Sequence, residues 1–249
     1  MKRKIISGAV IGAAILIYAV ASCRGWVSEY ASNIFARGAS IFCLTMAYIE
    51  SAHAATKMSM EDEVVIFTQS ELINILLCLV FCLLENTAII IAILLIIASG
   101  NLLTFRDFLI VIVICCSTDF GAGVFGYLFG KHNPKFLSRI SPNKTIEGFI
   151  FGMLFSSLMS IIIVPTLGGY SMFGTLKLVA IMSPLAIAGD LLASLAKRCY
   201  RMKDSGEKLS LIPVFRILEW PLKYHGGYLD RMDSITFGIL CITLFKSQM

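Results

Sequence analysis

Residues 72–99, LINILLCLVFCLLENTAIIIAILLIIAS, make one long apolar run with Glu85 and Asn86 at its middle. A helix crosses a bilayer with about 20 such residues. Further apolar runs lie at 5–20, 34–56, 108–130, 146–167, 176–196 and 232–245. The chain is 57% hydrophobic and 15% charged, with a mean hydropathy of +0.83. A water-soluble domain of 249 residues has too little interior to hide that much apolar surface, so lipid must serve as solvent. The period-two alternation of a membrane barrel is absent, and helices remain to satisfy the backbone. The expected fold is all-α: a polytopic membrane protein of about seven transmembrane helices, one transmembrane domain over 1–249, with the chemistry in cytoplasmic loops.

Basic loops orient such a chain. The N-terminal Met1-Lys2-Arg3-Lys4, the stretch 131–145 and the stretch 197–231 are rich in Lys and Arg and are expected on the cytoplasmic side. Four runs separate the first from the second and two separate the second from the third, so the parity agrees. The run 5–20 is read as a retained first helix. Ala19-Val20-Ala21 would also pass as a cleavage site, and Val20-Ala21-Ser22-Cys23 as a lipoprotein box. The run 34–56 is weaker, broken by Arg37, Glu50 and His53, and 72–99 reads as one tilted helix or two short ones. The net charge of +5 suits cytoplasmic loops. It lacks the interleaved aromatics of a nucleic-acid surface, so no nucleic-acid partner is expected. No CxxC pair occurs among the eight cysteines. Cys43, Cys78, Cys82, Cys115, Cys116 and Cys241 lie in apolar runs and read as small buried side chains.

Ionisable groups inside spans are costly and mark function or polar packing. Glu85 reads as a polar helix-packing pair or a kink. Asp119 stands among glycines in TDFGAGVFGYLFGK, where Gly123, Gly126 and Gly130 fall on one helical face as a small-residue seam. The seam leaves the carboxylate unexplained, so a metal or a lysine is expected beside Asp119. Asp190, Ser194 and Lys197 share a helix face. Asp190 therefore reads either as a substrate contact or as the partner of Lys197 or Ser194.

The densest polar cluster is 194–234, with Lys197, Arg198, Lys203, Asp204, His225, Asp230, Arg231 and Asp233. Cations hold phosphates, and carboxylates hold a divalent ion that bridges phosphate oxygens. Asp230 and Asp233 are three apart and share one face of a helix. Gly226 and Gly227 let backbone approach a ligand closely. A solvated basic loop pairing its own charges is the plainer alternative.

The order of these residues is informative. Ser194, Lys197-Arg198, Lys203-Asp204-Ser205-Gly206, His225-Gly226-Gly227, Asp230-Arg231 and Asp233 resemble the C-terminal signature of the phosphatidate cytidylyltransferases (CDP-diacylglycerol synthases). Asp119 with its glycines, Gly130-Lys131 and SPNKTIEG at 141–148 resemble that family's central motif. The resemblance covers about 110–240. It implies CTP and phosphatidic acid as substrates, Mg²⁺ as cofactor with a second, monovalent cation left open, and CDP-diacylglycerol and pyrophosphate as products. It implies metal ligation by Asp204, Asp230, Asp233 and Asp119. Lys197, Arg198, Lys203, His225 and Arg231 would join the catalytic set. Lys144, Ser141, Ser194, Gly226, Gly227 and Lys131 would contact substrate. The expected location is the cytoplasmic (inner) membrane, with the site facing the cytoplasm; a homodimer is left open.

Two other activities suit a basic, polytopic chain. One is a CTP-dependent polyprenol or dolichol kinase. The other is a transporter of an anionic metabolite, which would carry inverted repeats and broken half-helices; no convincing repeat is visible. Where the family has Pro-Gly before His-Gly-Gly, this chain has Lys223-Tyr224, and His225 follows Asp204 at a longer distance than usual. The intervening 209–222, LSLIPVFRILEWPL, reads as a short interfacial helix between Pro213 and Pro221, or as one packed on the protein's own spans.

Overall fold

A computed structural model describes residues 17–18, 21–22, 24–56, 71–100, 103–134, 141, 144–167, 170–199 and 228–247; at 53–56, 71, 72, 74, 230, 231 and 247 it describes the backbone alone. Six long helices run through these residues: α1 Glu29–Thr56, α2 Glu71–Ala98, α3 Phe105–Phe129, α4 Ile146–Leu167, α5 Met172–Cys199 and α6 Leu229–Ser247. No strand occurs among them, and the fold is all-α. Four stretches, Ile75–Ala98, Phe105–Phe129, Ile146–Leu167 and Met172–Cys199, are long and apolar enough to cross a membrane. Leu83, Leu94 and Ile97 of α2 are more than half exposed, as side chains facing acyl chains are. The chain is a multi-pass membrane protein. The expected helix at 5–20 and the segment 209–222 fall almost wholly outside the described residues, so the count of seven is not reached.

Two expectations about helix continuity resolve. The run 72–99 is one helix of 28 residues rather than two. The interrupted run at 34–56 is likewise unbroken within α1, where Glu50 finds backbone partners instead of ending the helix. Starts are set by short hydroxyl side chains: Ser28 Oγ accepts from Ala31 N–H at 3.2 Å, Thr145 Oγ1 from Gly148 N–H at 3.2 Å, and Ser171 Oγ from Gly174 N–H at 3.1 Å. Each relieves one of the amides that a helix start leaves without an internal partner.

The described residues group into two compact units, 1–93 with 196–232 and 94–195 with 233–249. In the first, Glu85 is buried on α2 and accepts from Ser51 Oγ of α1 at 3.5 Å. This is the helix-packing pair expected of it, made without a break in α2. Glu50 of α1, read as an interruption, is also buried. Its carboxylate accepts from the backbone N–H groups of Tyr228 and Leu229, both at 2.9 Å. Cys78 and Cys199 are buried as well.

In the second unit α3 lies tightly along α4. A Cβ on Gly152 would stand 2.8 Å from the Thr118 carbonyl oxygen, and one on Gly148 would stand 2.7 Å from that of Ala122. Only glycine permits this approach. From the α3 side the seam uses Gly121, where a Cβ would meet Gly152 Cα at 3.1 Å, and Gly126. Gly123, expected in the seam, has open space around its Cβ position, because it faces away from α4. Beyond the glycines the helices are joined by hydroxyls. Ser117 reaches Ser156 at 3.1 Å, Thr118 reaches Ser183 at 3.2 Å, and Ser183 reaches Ser156 at 3.3 Å. Such bonds contribute about 0.6 kcal/mol each within membranes. Cys115 and Cys241 are buried here as expected, whereas Cys116 is exposed. Gly189 of α5 admits α6: a Cβ there would meet the Asp233 carbonyl oxygen at 2.8 Å.

Candidate active site

The close packing of α3, α4 and α5 leaves a pocket of about 110 Å³ lined by Asp119, Ala122, Gly123, Lys144, Thr145, Phe149, Ile187 and Asp190. Each wall has a distinct origin. Asp119, Ala122 and Gly123 come from α3, and Gly123 opens the wall because it has no side chain. Lys144 and Thr145 precede α4 and Phe149 lies in its first turns, so the N-terminal end of that helix borders the pocket. Such an end favours anions through its free amides and dipole. Ile187 and Asp190 come from α5.

The charges are paired. Lys144 Nζ donates to Asp190 Oδ2 in an ion pair, with about a quarter of each side chain exposed. Asp119 Oδ2 accepts from Ser234 Oγ of α6 at 2.9 Å, and the carboxylate lies within electrostatic reach of both Lys144 and Asp190. The lysine expected beside Asp119 is therefore present. The Asp190 partner is Lys144 rather than Lys197 or Ser194, because α4 begins beside α5 and brings Lys144 across from 46 positions away. Behind the pocket, Glu147 holds the chain just before α4. Its carboxylate accepts from His132 N–H at 3.1 and 3.2 Å and pairs with the His132 ring. Ile146 N–H donates to the His132 carbonyl at 3.1 Å.

The structure thus joins two parts of the central motif, Asp119 and the SPNKTIEG segment, in one pocket. Ser141, within that segment, accepts from Lys144 N–H through its carbonyl at 3.2 Å, and Lys131 is exposed just beyond α3. Of the C-terminal signature, Ser194, Lys197 and Arg198 ride on α5, the two cations in its last turn. Asp230, Arg231 and Asp233 begin α6, and Asp233 Oδ1 accepts from Ser234 N–H at 2.7 Å. Lys203, Asp204, His225, Gly226 and Gly227 lie outside the described residues. Sequence reasoning weighed Asp190 without assigning it a site role, and it overlooked Ser234. A carboxylate inside a long apolar run was the available signal for the first. For the second there was only its place after Asp233.

Among the described residues no three His, Cys, Asp or Glu side chains converge on one point. Two carboxylates do line one pocket, and one oxygen of Asp119 is already oriented by a hydroxyl donor. Mg²⁺ is commonly held by one or two carboxylates with substrate phosphates and water completing its shell. The hard oxygen donors present fit that ion.

A polytopic helical protein with a paired-charge pocket at a helix start is a recognisable class, and comparison with known proteins makes it specific. The model of the cytidylyltransferase family matches residues 2–248, so the chain belongs to that family. A phosphatidate cytidylyltransferase of Staphylococcus haemolyticus is 39% identical over 133 residues, which is 53% of this chain and 45% of that protein. One from Staphylococcus epidermidis is 39% identical over 144 residues, 57% of this chain and 50% of its own length. One from Staphylococcus aureus is 38% identical over 132 residues, with 53% and 45% covered. The matched stretch spans about half the length of these relatives. No solved structure matches.

Proposed function

We propose that this protein transfers the cytidylyl group of CTP to phosphatidic acid, giving CDP-diacylglycerol and pyrophosphate. The observation that carries the reading is the pocket in which Lys144, Asp190 and Asp119 meet at the N-terminal end of α4. The names of the matched relatives support the substrates. A lipid-phosphate oxygen attacks the α-phosphorus of CTP, the new P–O bond forms, and the bond to pyrophosphate breaks. A phosphate monoester is already largely ionised near neutral pH, so no general base is required. Both reactants are anions, and their repulsion is the main obstacle. Mg²⁺, when bound, supplies positive charge between phosphate oxygens and on the leaving group.

The chain's own residues do the remaining work. Lys144 is held by Asp190 until an arriving phosphate competes for its ammonium. With Lys144 so engaged, the Asp190 carboxylate would be among the groups that hold a divalent cation. Ser234 orients the Asp119 carboxylate, which lines the pocket, through Oδ2. The exposed Lys131 is a further candidate for phosphate contact, the sequence resemblance adds Lys197 and Arg198, and the positive charge of the basic stretches supports a site facing the cytoplasm at the inner membrane, where CTP is found. Asp204, Asp230 and Asp233 stand as the metal-ligand candidates that the sequence resemblance implies.

The test uses purified full-length protein in lipid nanodiscs with phosphatidic acid, Mg²⁺ and CTP labelled at the α- or the γ-phosphorus. Label from the α position should enter the lipid, with pyrophosphate released in equal amount. Label from the γ position in the lipid would replace this reading with a lipid kinase. No label in the lipid from either nucleotide would reject both.

A further inference from the structure

Glu50 lies outside both motif blocks and outside the pocket, yet it is one of the most deeply buried carboxylates among the described residues, with 4% of its surface exposed. Both of its oxygens reach one object. Oε1 accepts from Tyr228 N–H and Oε2 from Leu229 N–H, each at 2.9 Å. Tyr228 precedes α6 and Leu229 opens it, and Tyr228 O receives Met232 N–H at 3.0 Å in the helix's first turn. These amides are among those that a helix start cannot satisfy itself. A carboxylate there also meets the positive end of the helix dipole. Eight positions before Glu50 on α1, Phe42 meets the Tyr228 ring edge-on at 6.0 Å between centroids. The Tyr228 ring is buried, so α1 grips the same two residues by packing and by hydrogen bonds.

Those two residues sit between His225-Gly226-Gly227 and Asp230. The hold on the Tyr228 and Leu229 amides fixes where the acidic turn begins. We propose that Glu50 is a positioning residue for the reaction: it clamps the start of α6 at Tyr228 and Leu229 and thereby sets where the helical turn that carries Asp230, a metal-ligand candidate, begins. The proposal rests on the functional reading above for the role of Asp230, and on geometry alone for the clamp. Outer residues that orient metal ligands commonly affect metal affinity or activity by about 10- to 100-fold.

The test compares wild type with Glu50→Gln and Phe42→Leu in nanodiscs. Glu50→Gln keeps the shape but turns an –NH₂ donor toward an N–H donor, while Phe42→Leu loosens the packing and leaves the clamp. Three quantities are read: binding of Mn²⁺ alone by electron paramagnetic resonance, Mg²⁺ activation of turnover, and backbone amide exchange over 228–233. Glu50→Gln should weaken Mn²⁺ binding and raise the activating Mg²⁺ concentration by about 10-fold, speed exchange at 228–229, and leave the KM for phosphatidic acid unchanged. Phe42→Leu should lower thermal stability with Mn²⁺ binding near wild type. Faster exchange with unchanged Mn²⁺ binding would reduce Glu50 to a structural cap and overturn the proposal, as would equal loss of Mn²⁺ binding in both variants. If wild type binds Mn²⁺ but makes no CDP-diacylglycerol, the functional reading fails while the clamp is still judged by Mn²⁺ binding and exchange. If Glu50→Gln does not fold, Glu50→Asp, which keeps the charge and shortens the reach, takes its place with the same expected loss of Mn²⁺ binding.

Discussion

Asp107 and Asp119 lie on the same helix, 12 positions and about 18 Å apart along a rise of 1.5 Å per residue, and they have opposite surroundings. Asp107 is 2% exposed. Its Oδ2 accepts from Thr104 N–H and Thr104 Oγ, both at 2.7 Å, and from Lys246 Nζ at 2.5 Å, and Tyr170 reaches Oδ1 at 3.4 Å. Those partners come from the start of α3, the α4–α5 connection and the end of α6. The carboxylate is saturated, and its work is to tie three segments together. Asp119 has one hydroxyl partner and a pocket in front of it. A buried carboxylate with both oxygens held by the protein is architecture; one that lines a pocket with a single hydroxyl partner is available for chemistry.

Substituting each carboxylate by its amide tests that contrast. Asp119→Asn keeps volume and can still accept from Ser234, but it removes the charge beside the pocket. Turnover should fall at least about 100-fold, about 2.7 kcal/mol in the barrier, with thermal stability in detergent near that of wild type. Turnover within about twofold of wild type would make Asp119 a packing residue and erase the contrast.

Asp107→Asn should do the reverse. It leaves Lys246 facing a neutral amide, and breaking a buried pair costs about 3–5 kcal/mol. Because Lys246 keeps about a quarter of its side chain exposed, it can turn toward water, so the expected loss is nearer about 2 kcal/mol. A lowered Tm with unchanged turnover per folded molecule supports the contrast. Lost turnover at unchanged Tm would move Asp107 into the site.

The sequence announced these two residues unequally, for physical reasons. Asp119 was conspicuous because a carboxylate among glycines in an apolar run needs a partner. Asp107 sits at the margin of its run, where a charge is ordinary, and beyond the nearby Thr104 its partners are 63 and 139 positions away. The helical class and the places of the six described helices followed from apolar length, and the division of the α3 glycines did not. Spacing put Gly123 in the seam, but which glycines meet α4 depends on the rotation of α3, which is decided by Gly148 and Gly152 across the interface. In the same way Asp190 was visible as a charge, while Lys144 as its partner required the α4–α5 packing. Local chemistry was legible; pairings set by helix rotation were not.

The smallest expected effect lies in the outermost contact of the Asp107 cluster. Tyr170 Oη donates to Oδ1 at 3.4 Å, long for a hydrogen bond between oxygens. Burial first, and then the neighbouring Asp107 carboxylate, pushes the Tyr170 hydroxyl above its ordinary pKa of 10.0, so it remains a neutral donor wherever the protein is folded at physiological pH. A net hydrogen bond contributes about 0.5–1.5 kcal/mol, and this length places Tyr170→Phe near the lower bound. The ring still packs against Phe245, at 6.3 Å between centroids, so the substitution removes the hydroxyl and little else. A double-mutant cycle gives the sharper measurement. If Tyr170 acts through Asp107, its effect should shrink to near zero in the Asp107→Asn background, because the neutral amide oxygen is a weaker acceptor than the carboxylate. An effect of equal size in both backgrounds would mean that the hydroxyl contributes independently, and that Asp107 is saturated by Thr104 and Lys246 alone.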